Sequence, residues 1–62
     1  MDHKVYMVVE NAGYEGERDI KGFNHYTKAY KWMDQHYTED EIESLHVLVR
    51  CDYKNGERSY EF

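Results

Sequence analysis

The residues of this chain that could carry covalent or metal chemistry are Cys51, the four histidines His3, His25, His36 and His46, and a run of carboxylates at Glu39, Asp40, Glu41 and Glu43. The single cysteine excludes an internal disulfide, and no C-x-x-C or C-x-x-C/H-x-x-H spacing exists to seed a zinc site. Cys51 shares the apolar parity of a period-two segment, where a free thiol behaves as a small hydrophobe and is a poor nucleophile. His25 and His36 lie three helical turns apart, too far for shared ligation, and His46 reads as a solvated strand residue. No glycine-rich loop leads from a strand into a helix to cradle phosphate. The residues therefore predict no catalytic centre, no metal and no cofactor.

Charge placement is more informative. Between Trp32 and Val49 there is no Lys or Arg, whereas Asp34, Glu39, Asp40, Glu41 and Glu43 all fall there, so this stretch carries a charge equal to the net −5 of the whole chain. A helix N-terminus favours carboxylates by about 0.3–1 kcal/mol each, which accounts for Glu39, Asp40 and Glu41. It does not account for the lack of any base nearby. An acidic edge of this kind suits a positively charged protein partner and argues against direct binding to nucleic acid or an anionic membrane. Beside it, Tyr26, Tyr30, Trp32 and Tyr37 supply the aromatic side chains that anchor interfaces. Tyr26, Tyr30, Met33 and Tyr37 also satisfy a core-facing helical stripe. Trp32 falls off that stripe, which makes Tyr30 and Trp32 the candidate socket and Glu39, Asp40, Glu41 and Glu43 the candidate acidic edge.

The elements that position these residues are legible from periodicity. Residues 3–10 predict a strand with Val5, Met7 and Val9 on one face; the glycines at 13 and 16 reverse the chain; residues 17–23 predict a second, edge-like strand. Residues 25–37 switch to a helical period with Asn24 as N-cap. Thr38-Glu39-Asp40-Glu41 matches a capping box and predicts a short helical turn ending near Ser44. From Leu45 through Cys51 the period is two again, and Asn55-Gly56 predicts a two-residue hairpin loop pairing Cys51 with Tyr60, Asp52 with Ser59, Arg50 with Glu61 and Val49 with Phe62. The predicted fold is α+β: an antiparallel sheet of three to four strands, order β-β-α-β-β, with one helix packed across it, residues 1–62 forming a single domain. The longest apolar run, Tyr6 to Val9, is far below the roughly 18 residues needed to span a bilayer, and the free cysteine suits a reducing compartment; a cytoplasmic location is expected. A core of this size rarely supplies more than about 3–5 kcal/mol, and with no disulfide or metal a homodimer is expected.

The segment Lys21-Gly22-Phe23, the helix after it, and Thr38-Glu39-Asp40-Glu41-Ile42 running into the strand through Val47 and Leu48 resemble the small phage-encoded inhibitors of uracil-DNA glycosylase, short acidic proteins with a K-G-apolar step, a helix and a T-x-D-E-I run. Residues 4–53 align in order with that pattern, including the leading Val5-Tyr6-Met7-Val8-Val9 strand. The resemblance implies a protomer that dimerises through sheet and helix, occupies the DNA-binding groove of a host DNA-repair enzyme as a DNA mimic, and receives the enzyme's base-displacing apolar side chain. The family's aromatic pocket residues have no position-by-position match here, and the strand after Glu57 departs from the three-stranded pattern. The expected function is inhibition of a DNA-processing enzyme, uracil-DNA glycosylase foremost; the alternative is an acidic module aimed at another host factor such as a nuclease, a polymerase subunit or a CRISPR effector.

Overall fold

The computed structural model describes residues 4–60. Four strands and two helices follow one another as β1 (Lys4–Glu10), β2 (Arg18–Phe23), α1 (Tyr26–His36), α2 (Glu39–Ser44), β3 (Leu48–Tyr53) and β4 (Arg58–Ser59). The sheet is antiparallel in the order β2-β1-β3-β4, so the predicted α+β class and element order hold. The helix α1 crosses one face, burying Ala29 and Met33 against Val8, Val47 and Val49. Tyr6, Ile20, Phe23, Tyr26, Trp32, Tyr37 and Ile42 surround this centre half-buried.

In β1, Val5, Met7 and Val9 share one face as expected; it is the face away from the helix, and Tyr6 and Val8 face the helix. Alternating strands carry apolar residues on both sides here, so parity alone did not choose the core side. A bulge between the partners of Val8 and Val9 leaves Ile20 of β2 without an opposite residue, and Ile20 joins the helix-side cluster. The N-cap of helix α1 is His25, not Asn24, and makes no side-chain capping hydrogen bond. Strand β3 starts only at Leu48, because Leu45 and His46 form the turn that closes α2, with His46 at φ 51.

The hairpin differs from the predicted register by one residue. Tyr53 N–H donates to Glu57 C=O at 2.8 Å and Gly56 N–H to Tyr53 C=O at 3.0 Å, so Lys54, Asn55 and Gly56 form a three-residue loop with Gly56 at φ 91. Asn55 spends its side-chain oxygen on Glu57 N–H (3.0 Å) instead of sitting in the left-handed region itself. Cys51 consequently pairs with Ser59 and Asp52 with Arg58. The predicted partners of Arg50 and Val49, Glu61 and Phe62, lie outside the described residues.

That slip carries Tyr60 to the helix-free face, beside Arg50, which is only 1% exposed and is the one buried charged side chain among the described residues. Its guanidinium meets Asp52 twice (Nε–Oδ1 2.6 Å, Nη2–Oδ2 2.8 Å), Glu17 through Nη1, and Asp19 at 3.0 Å. Tyr60 O–H donates to Glu17 at 2.5 Å and Gly13 N–H to the same carboxylate at 2.9 Å. A guanidinium taken out of water is tolerable only with such saturation of its donors. Burial pushes Glu17 up, but the donors Tyr60 and Gly13 and the charge of Arg50 outweigh it and hold Glu17 below the usual carboxylate range.

A depressed carboxylate stabilises the fold above its unfolded pKa of about 4.3 and loses that contribution as pH falls through the folded value. Denaturant unfolding of the wild-type protein should therefore weaken between about pH 5 and pH 3, with a shallower decline in Glu17→Gln. Arg50→Met strands three carboxylates together and should cost about 3–5 kcal/mol, most of what a core this size provides, so its circular dichroism should show no cooperative transition.

Candidate functional site

The acidic edge is built by a local device that the sequence announces. Thr38 caps α2: its hydroxyl accepts Glu41 N–H at 3.2 Å, and Glu41 Oε1 accepts Thr38 N–H at 2.9 Å. The capping box turns the chain sharply out of α1, whose C-cap Tyr37 donates its backbone N–H to Met33 C=O. Tyr37 also donates its hydroxyl to Glu10 at 2.7 Å, and burial together with that carboxylate pushes the phenol up to about 12. This pins the junction between the helices to the end of β1.

Asp34, Glu39, Asp40, Glu41 and Glu43 are all exposed on this junction and on α2. Among the described residues none of the five takes part in an ion pair, and α2 has no basic residue in its last turn. Glu41 is the exception in role: its carboxylate is engaged in capping, so it contributes to folding as well as to surface charge. Glu39 and Asp40 lie in the first turn, where the helix dipole favours them. Glu43 and Asp34 lie toward helix C-termini, where the dipole disfavours a carboxylate.

The two aromatic residues expected to share a socket are separated. Tyr30 and Trp32 are two positions apart, about 200° around the helix, and lie on opposite flanks of α1. Tyr30 is 49% exposed and packs beside Tyr26 (centroids 5.7 Å), which in turn meets Tyr6 edge-on at 6.1 Å. Trp32 is not off the core: it is half-buried against Phe23 (6.0 Å) and Tyr37 (6.3 Å), and the ring of His36 stacks on it at 4.1 Å with 18° between planes. Lys21 Nζ lies 5.9 Å from both the Phe23 and Trp32 rings, so the tryptophan flank carries positive charge. A single aromatic socket ringed by acids is therefore replaced by an acidic edge and two separate aromatic flanks.

Cys51 is buried on the helix-side face of β3 and free, and among the described residues no His, Cys, Asp and Glu side chains converge to hold a metal ion. No helix is long and apolar enough to cross a membrane among the described residues. Sequence reasoning missed Glu17, Arg50 and Tyr60 as a unit; the only hint was an arginine on a strand whose hairpin partner was one place off. Comparison with protein-family models, with curated proteins and with solved structures finds no match.

The two aromatic flanks differ in what they do for the fold. Trp32→Ala should remove contacts with Phe23, Tyr37 and His36 and destabilise by about 3 kcal/mol, whereas Tyr30→Ala should stay within about 1 kcal/mol; urea titrations of the two variants measure the difference.

Proposed function

We propose that this protein is an inhibitor that occupies the DNA-binding groove of a DNA-processing enzyme, with uracil-DNA glycosylase of the host cell as the target. The observation that carries this reading is the placement of Asp34 and Glu43: exposed, unpaired among the described residues, and at helix positions where the macrodipole opposes them. Folding does not call for carboxylates there, whereas a basic groove does. Glu39 and Asp40 extend the same edge on a helix about 9 Å long, so several negative charges are displayed within reach of a groove that grips successive phosphates.

Each part of the geometry then has a task. The acids steer the encounter and raise the association rate through long-range attraction. Tyr30, exposed on α1 one helical turn ahead of Asp34, offers a rigid apolar contact at low entropic cost. Trp32 serves by holding α1 on the sheet. The resemblance in Thr38-Glu39-Asp40-Glu41-Ile42 supports the glycosylase as the particular enzyme. The reading includes a cytoplasmic site of action and a homodimer, the latter supported by the small core and by Val5, 41% exposed on the helix-free face.

Uracil excision by the glycosylase, measured with the protein at equimolar ratio, tests this. The wild-type protein should abolish excision. The triple reversal Glu39→Lys, Asp40→Lys, Glu43→Lys, which spares the capping carboxylate of Glu41, should slow association by about ten- to a hundredfold with the fold intact. Unaffected excision by wild type, or equal inhibition by the triple variant, contradicts the proposal.

A further inference from the structure

Helix α2 has little to hold it. None of its residues is buried, and of its side chains only Ile42 packs partly on the core. What fixes its far end comes from a segment distant in sequence. Asn11 N–H donates to Leu45 C=O at 2.8 Å and Ala12 N–H to His46 C=O at 3.0 Å, and the Tyr14 ring lies 4.7 Å from the His46 ring. Asn11 and His46 both stand at positive φ, 56 and 51, a left-handed conformation that Asn and His accept more readily than other side-chain-bearing residues, so the two segments meet through tight turns. The other end of this 11–17 strap is anchored at Glu17, which accepts Gly13 N–H and Tyr60 O–H and pairs with the buried Arg50.

We propose that Glu17 and Arg50 are positioning residues that lock the 11–17 strap onto the sheet, and that the strap in turn fixes the turn at Leu45 and His46 and so the direction in which α2 presents its acids. The purpose assigned to the lock rests on the acidic-edge reading above; the mechanical coupling does not. The strap bridges the helix-free face, where Arg50 sits, and the end of the sheet, where α2 begins its return into β3. A change in one charged contact on one face is thereby transmitted to carboxylates at the end of the molecule.

Amide hydrogen exchange on the free protein tests the coupling without any enzyme. In Glu17→Gln, exchange at Asn11, Ala12 and Gly13 and at Leu45 and Val47, whose N–H groups close α2 and its turn, should rise about tenfold or more relative to wild type, while Val8 and Val49 stay within about twofold. Thr38→Ala supplies the contrast, loosening α2 from its N-terminus and leaving Asn11 and Ala12 unchanged. Should Glu17→Gln not fold, Tyr60→Phe, which removes one donor and keeps the Glu17–Arg50 pair, should give the same pattern at smaller amplitude. A loosened strap with Leu45 and Val47 unchanged overturns the proposal, and so does a uniform rise that includes Val8 and Val49. Because no enzyme is present, this result and the excision result stand or fall separately.

Discussion

A guanidinium withdrawn from water is the constraint around which one side of this molecule is arranged. Arg50 sits on the sheet face that α1 does not cover, yet it is almost wholly enclosed. Enclosure requires acceptors from different parts of the chain: Glu17 from the loop, Asp19 from β2 and Asp52 from β3 itself. Tyr60 completes the cage by occupying Glu17. A small chain with one helix laid across its sheet thus closes the second face with a charged cluster and a strap where a larger protein would place another helix. The arrangement trades hydrophobic burial for directional contacts, which fix one geometry but fail together when a partner is removed.

The same cluster sets three acids of the chain apart from those at positions 34–43. Glu17, Asp19 and Asp52 are spent internally on Arg50, and Glu10 is engaged by Tyr37 and approached by Arg18 at 4.0 Å. The acids of positions 34–43 have no such counterpart among the described residues. Of the 13 acids and 8 bases of the chain, five acids and no base fall between residues 33 and 48, around the junction of α1 and α2, while Lys21 lies over the Phe23 and Trp32 rings, the latter next to Tyr37 of that junction. A local excess of one sign in so small a body produces a directional field, which favours orientation of an approaching partner over strength of the final contact.

Much of the fold was legible because it is written locally. The capping box at Thr38 and Glu41 needs only four consecutive residues, and the switch from period two to the helical period around residue 25 needs only a dozen. Of the alternating set Leu45, Val47, Val49 and Cys51, the last three are buried, whereas Leu45 closes α2 and is exposed. What escaped was settled by distant partners or by one-residue choices. Asn55-Gly56 signals a turn but permits two loop lengths, and the longer one moved Tyr60 from the side of Cys51 to the side of Arg50. Periodicity pairs Arg50 with Glu61 across the hairpin, and nothing in its own strand announces Glu17, 33 positions away. The shared socket of Tyr30 and Trp32 could have been refused in advance, since residues two apart on a helix do not face each other. Trp32 belonged with Phe23, which the sequence places on a different element.

Amide chemical-shift mapping of the protein titrated with uracil-DNA glycosylase locates the surface that meets the enzyme. The largest shifts are expected at Tyr30, at Asp34 and along Glu39 to Glu43, while Val5 and Met7 on the helix-free face stay in place. Shifts confined to the helix-free face or to the Lys21 and Trp32 flank, or no shifts at all, would contradict the proposal.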